Sequence, residues 1–402
     1  MKKVENVLKS NTRSWLEIDL NRISHNIKEV QKLIPSTSKI MAIVKANGYG
    51  HGDVECSRMM EQQGIDFFGV SSVDEGVRLR ENGIQSPILV LGYTPPVHFH
   101  YLNEASLIQT LVSKEYAEKL NAYAKEQNVV VKAHAKVDTG MSRIGIIAQD
   151  HAYHIEDIKA LYRLEYLDVC GIFSHFSVSD CLDEENCAFT NHQIALFERV
   201  LADLRAEGID PGTTHLQNSY GILNYPNLHY DYVRPGLLWM GVTSDDALAI
   251  RTAPQFQPIM EWKANVSLVK DIQPGVTVSY GRHFKAEVCT RVATLAVGYA
   301  DGFPRSVSNQ GACVLLHGRR VPIIGNICMY QMMVDITGLD GVSEGDVATL
   351  IGCDGDEVLS VDELSRLAHT INNETLCWIS QRVPRIYKEP QQVWLFFKRR
   401  DG

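Results

Sequence analysis

Lys45 closes an apolar run, "KIMAIV", and opens a glycine cluster within "VKANGYGHGD" (44–53). A buried lysine loses hydration, so the residue is ordinarily found outside. Held in a partly dry site, its pKa falls and its amine becomes a nucleophile. The plainer reading is a loop lysine beside a tight turn. Other polar groups close apolar runs in the same way. They are Lys136 and Asp138 in "VVVKAHAKVD", Ser174 and His175 in "GIFSHF", Asn218 and Ser219 in "TTHLQNS", and Arg234 in "YVRPG". Singly, His175 reads as a core histidine, Arg234 as a surface charge and Ser219 as a helix N-cap. Gathered on one rim they would supply an amine, a guanidinium, an imidazole and a hydroxyl, with no acidic cluster for a metal.

Whether they gather depends on the elements that carry them. Eight runs rich in Val, Ile and Leu recur: 39–44, 65–70, 87–91, 107–112, 129–137, 168–176, 213–218 and 232–242. Amphipathic stretches separate them. In 190–207, Ile194, Phe197, Leu201 and Leu204 keep three- and four-residue spacing, and Gly208 follows as a C-terminal stop. Eight strands alternating with helices predict a (β/α)8 barrel, whose chemistry collects at the C-terminal strand ends. A doubly wound open sheet competes. After residue 250 the rhythm changes. Turn signals at Pro274-Gly275, His317-Gly318 and Gly345-Asp346 separate short runs, with one helical stretch at 360–370. The fold class expected is α/β: a barrel over 14–250, then a mostly β domain over 251–402, with residues 1–13 pairing with either.

Composition narrows the class of function. The chain has 402 residues, room for two domains, and its 45% hydrophobic and 22% charged content is that of a globular protein. Net charge is −9 and no basic run alternates with aromatics, which argues against nucleic acid. No apolar run approaches the ~18 residues of a membrane helix, and no apolar stretch follows the lysines of "MKKVENVLKS", so a cytoplasmic location is expected. Nine scattered cysteines without a C-x-x-C read as reduced thiols.

"ANGYGHG" lacks the G-x-G-x-x-G spacing of a dinucleotide site. "QNSYGI" and "RPGLL" lie after the seventh and eighth runs, where barrels commonly hold a phosphate. A lysine on one strand end and a phosphate cradle opposite fit pyridoxal 5′-phosphate (PLP), whose aldehyde links covalently to an amine.

"VKANGYGHG", "KVDTGMSRIG", "SHF", "NS", "VRPG", "VSYG", "GYADGFPR", "CM" and "RVPRIY" occur in that order over residues 14–386. Each is weak alone; the ordered set resembles the alanine racemases, PLP enzymes of fold-type III. The resemblance implies the same barrel and β domain, and makes Lys45 the cofactor-bearing lysine. It also implies that Tyr49 and Ser219, with the backbone of Gly236 and Leu237, hold the phosphate, and that Asn218 lies with them. Arg234 would donate to the pyridine nitrogen, with His175 behind it. A guanidinium stays protonated, so that nitrogen would stay unprotonated and the ring would be a weaker electron sink. Racemisation needs a base on each face of Cα. Lys45 is one and Tyr280 of "VSYG" the other, supplied by the partner subunit of a homodimer. Tyrosine, with a pKa near ~10, needs nearby positive charge to act as base. Arg143 is implied near the cofactor's phenolic oxygen, Met329 of the partner near the substrate carboxylate, and Lys136 matches a lysine that many members carbamylate.

Two positions depart from the family pattern. Tyr330 follows "CM" where Asp is usual, and Gln381 stands in "SQRVPR" where Tyr is usual. Either they have drifted neutrally or the pocket admits serine or a larger amino acid. Three activities follow from the resemblance: racemisation of alanine, racemisation of serine or a broader set, and PLP carriage without turnover. The β domain and Tyr280 argue against a carrier, which needs no second base. A decarboxylase of the same fold type is disfavoured by "VSYG" and "GYADGFPR".

Overall fold

The computed structural model describes residues 13–388. The first strand, β1 (Ser14–Asp19), alternates buried and half-buried residues, the period-2 pattern of a half-buried strand. It pairs antiparallel with Met260–Ala264 and parallel with Arg385–Lys388. The barrel range of 14–250 read from sequence therefore includes a strand whose ladder lies in the second sheet; alternation alone does not say which sheet a strand joins. Residues 1–12 lie outside the described residues. Arg13 donates to the Ala296 carbonyl at 2.9 Å and pairs with Asp301, both in the second domain.

The barrel strands are β2 (Lys39–Ile40, continuing as Ala42–Ile43), β3 (Phe68–Val70), β4 (Ile88–Val90), β5 (Ile108–Leu111), β6 (Val131–Asp138), β7 (Leu167–Phe173), β8 (Thr213–His215) and β9 (Tyr232–Val233). Every neighbouring pair is parallel. Ile40 pairs with Val233 on one side, while Ala42 pairs with Phe68 on the other, so the ring closes. Closure rules out the open doubly wound sheet. Each strand coincides with one of the eight apolar runs to within one residue, β6 reaching Asp138 and β7 starting at Leu167, as expected of strands buried on both faces. The helix Glu184–Ala206 begins six residues before the apolar period becomes readable; Asp183 caps it, accepting from Asn186 N at 3.0 Å. Its opening turn, Glu184-Glu185-Asn186, is polar and shows no periodicity.

The second sheet is built on the long strand Met260–Ile272, which pairs with β1, Thr290–Leu295 and Val347–Asp354. Its expected helix is present as Val361–Leu367, capped by Ser360. A second helix, Asn372–Trp378, is too short to show a period in sequence. The last described segment returns to the barrel. Arg385 Nε donates to the Gly50 carbonyl at 3.0 Å, and Tyr387 Oη to the His51 carbonyl at 3.1 Å. The two domains thus meet on the turn that follows Lys45. No helix among the described residues is long and apolar enough to cross a membrane.

Candidate active site

β2 delivers Lys45 to the barrel rim. Val44 N donates to Gly69 O, and Trp239 Nε1 donates to Ile43 O at 2.9 Å, which fixes the strand end. The chain then turns through Ala46, Asn47, Gly48 and Tyr49, all with φ between 49° and 59°. L-residues rarely hold this left-handed backbone in succession. It reverses the chain at once, leaving Lys45 half-buried and folding Tyr49 back into the interior. The amine lies 5.9 Å from the Tyr49 ring centre. Burial lowers its pKa, and Arg143 lowers it further.

A cavity of about 220 Å³ opens at this end of the barrel. Lys45, Tyr49, Lys136, Arg143, His175, Asn218, Ser219, Arg234, Gly236 and Leu237 line it. Ten of the sixteen residues singled out from sequence are therefore brought together, and they come from β2, β6, β7, β8 and β9 or the loops that follow; Asp138 and Ser174 are buried and do not line the cavity.

On the side reached by β8 and β9, Ser219 Oγ accepts from Gly236 N at 3.0 Å. A Cβ added to Gly236 would stand 2.7 Å from Tyr49 Oη. Only a glycine lets the tyrosine hydroxyl approach this backbone so closely. Asn218, not Ser219, is the N-cap of the short helix Ser219–Asn224: its side chain accepts from Gly221 N at 2.8 Å. That leaves the Ser219 hydroxyl directed to Gly236.

Arg234 is buried at the centre of a hydrogen-bond network. It donates to the carbonyls of Ser174 and Leu216, both at 2.8 Å, to His175 Nδ1 at 3.1 Å and to His215 Nδ1 at 2.9 Å. None of these acceptors is a carboxylate. Burial, with Arg143 adding to it, pulls the guanidinium pKa down to about 9. His215 Nε2 lies 2.9 Å from His134 Nδ1. His134 and His215 escaped the sequence reading. Each occupies a strand next to a recognised residue, two before Lys136 and three before Asn218, but a strand histidine alone does not separate a network from a core.

Lys136 is fully enclosed. Its amine donates to the Val137 carbonyl at 2.7 Å, and burial, reinforced by Arg234, lowers its pKa to about 7.

Four expected residues lie elsewhere. Tyr280 is 72% exposed on a turn that Asn326 Nδ2 ties down through the Tyr280 carbonyl at 2.7 Å. Met329 and Tyr330 are exposed on the loop just beyond Asn326. The guanidinium carbons of Arg13 and Arg382 lie 5.7 and 5.0 Å from the centre of the Tyr330 ring. Gln381 is exposed on a second cleft, with Ala46, Asn47, Glu75 and Cys377, on the other flank of the Lys45 turn.

Fold and cavity define a class: a closed parallel barrel with a half-dry lysine at its rim, joined to a β domain. The family models for the alanine racemase N-terminal domain and the alanine racemase C-terminal domain match residues 18–244 and 259–387. The chain is 40% identical to an alanine racemase of Methanococcus maripaludis over 93% of its length and 98% of that protein. It is 38% identical to a serine/alanine racemase of Enterococcus gallinarum over 92% of its length, but 51% of that longer protein. Among solved structures, an alanine racemase of Clostridium difficile 630 superposes with a TM-score of 0.87 at 33% identity, over 94% of this chain and 96% of that one. The chain belongs to the alanine racemase family.

Proposed function

We propose that this chain interconverts L- and D-alanine with PLP held in the Lys45 cavity of a homodimer, the partner supplying Tyr280. The observation that carries the reading is the composition of that cavity. It sets a lysine amine whose pKa burial lowers, a buried guanidinium, and the Ser219–Gly236–Tyr49 cluster around one space. These groups fit PLP. Lys45 would take the aldehyde, Arg234 would face the ring nitrogen, and Ser219, Tyr49 and the Gly236–Leu237 backbone would hold the phosphate. Bound there, PLP supplies an electron-withdrawing ring that acidifies the Cα proton of an attached amino acid.

The protein's own groups do the rest. The four protein acceptors do not exhaust the five donors of Arg234, which leaves it free to donate into the cavity. Lys45, with its lowered pKa, can remove or return a proton from one face of Cα. Racemisation needs a second base on the opposite face. Tyr280 suits that role because its side chain is free to enter a neighbouring subunit's cavity. Arg143, on the rim, would supply the positive charge that a tyrosine base requires. Met329, exposed near Tyr280, would contact the substrate carboxylate from the same partner.

The test is chiral product analysis. PLP-loaded protein given either alanine enantiomer is expected to approach a 1:1 mixture, and Lys45→Ala to abolish this. Enantiomerically pure alanine after prolonged incubation with loaded protein would reject the proposal.

A further inference from the structure

Glu75 sits in the helix Val73–Glu81, beside the turn that carries Lys45. Its Oε1 accepts from Ala46 N at 2.6 Å; its Oε2 accepts from Ser71 N at 2.7 Å and Ser71 Oγ at 2.8 Å. One helical turn on, Arg78 donates to Asn47 Oδ1 and pairs with the buried Asp53. Two side chains on one helix face therefore grip consecutive residues of the left-handed turn. Three of that turn's four residues are not glycine. A run of this kind persists only where its surroundings over-determine it.

We infer that Glu75 is a positioning residue for Lys45: by tying the Ala46 amide to the loop after β3, its carboxylate sets where the lysine enters the cavity. This rests on the reading of Lys45 given above. The charged and titratable groups that act on the lysine amine are Arg143, Glu75, Cys377 and Arg234, with the Tyr49 ring alongside. Glu75 favours the protonated amine, whereas burial and the two arginines favour the neutral one. Glu75 thus has two separable effects, one on geometry and one on charge.

Glu75→Gln keeps an acceptor for Ala46 and removes the charge; Glu75→Ala removes both. By hydrogen exchange of the full chain, residues 45–49 are expected to exchange roughly tenfold faster in Glu75→Ala than in the wild type, with Glu75→Gln between them. The same proteins, freed of cofactor and titrated with PLP, are expected to capture it covalently at a rate that rises as Lys45 deprotonates. In Glu75→Gln that limb should move to lower pH, a shift that a merely structural role would not cause. Unchanged exchange over 45–49 in both variants overturns the inference, whether or not PLP binds. An unmoved limb in Glu75→Gln also overturns it. If Glu75→Ala does not fold, Glu75→Gln carries both measurements. Failure of the wild type to capture PLP would count against the proposed function, and the exchange measurement would still decide the role of Glu75.

Discussion

Arg234 and His215 are joined by a 2.9 Å hydrogen bond from the guanidinium to Nδ1. A guanidinium only donates, so Nδ1 of His215 carries no proton. The proton of this neutral ring is on Nε2, which can donate it to His134 Nδ1 at 2.9 Å. The same logic places the His175 proton on Nε2, since its Nδ1 also accepts from Arg234. One buried cation thereby sets the tautomers of three rings.

Arg234→Lys keeps the charge and loses the fork. A single ammonium cannot serve two imidazoles and two carbonyls held in different directions. At least one buried acceptor would be left without a donor, at a cost of about 1–3 kcal/mol. Urea unfolding should show a lower midpoint with an unchanged slope. An unchanged midpoint would mean that the fork is dispensable to the fold.

Stability should fall on mild acidification. Burial lowers the pKa of His51 to about 4 and that of His134 to about 3, and takes His175 and His215 well below 6.5. Below about 6.5 the unfolded chain binds protons that the folded chain refuses. Stability from these rings is therefore complete above that pH and is lost as pH falls toward their folded values. Calorimetry is expected to give a lower Tm at pH 5 than at pH 7.5. Most carboxylates are still ionised at pH 5, so an equal Tm would contradict neutral burial of these histidines.

Lys136, with a pKa near 7, has much of its amine neutral at physiological pH, the form that reacts with carbon dioxide. We predict a carbamate on this residue, its negative charge answering Arg143 and Arg234. Protein equilibrated with ¹³C-bicarbonate should give a carbamate NMR signal that Lys136→Ala removes. The signal should grow above pH 7 and fade below it. A spectrum without it at pH 8 would reject the modification.

Neither Tyr330 nor Gln381 lines the cavity of the single chain, so a role in substrate choice would have to act through the proposed dimer. A serine hydroxyl left without a partner costs ~1–3 kcal/mol, and Gln381 offers both a donor and an acceptor. Gln381→Tyr with Tyr330→Asp should lower kcat/KM for serine relative to alanine. A fixed ratio would assign both positions to drift.

The barrel strands were legible because they are short apolar runs separated by amphipathic stretches; closure was not, because an open doubly wound sheet could carry the same eight, and it is the pairing of Ile40 with Val233 and of Ala42 with Phe68 that closes the ring. Part of the cavity was legible because Lys45, Lys136, His175, Asn218, Ser219 and Arg234 interrupt those runs at or near their ends, whereas Tyr49, Arg143, Gly236 and Leu237 were named only by the family resemblance. His134 and His215 were not legible, because a polar residue inside a strand gains meaning only from the strand beside it. Glu75 and Arg78 were hidden for a related reason. They sit on an ordinary amphipathic helix, and their role arises from a left-handed turn that "KANGY" does not announce: Ala46 and Asn47 adopt a backbone usually left to glycine. The placement of β1 was misread because its partners lie some 250 and 370 residues away and local pattern carries no such information.

The proposal of a two-base site shared between subunits is tested most directly by mixing two variants expected to be inactive, Lys45→Ala and Tyr280→Phe. If each cavity takes its lysine from one subunit and its tyrosine from the other, every hybrid dimer contains one complete site. Random assortment of equal amounts should restore alanine racemisation to about one quarter of the wild-type level. If both bases came from one chain, no hybrid would contain a complete site. Hybrid dimers verified by native mass spectrometry but inactive on alanine would contradict the account.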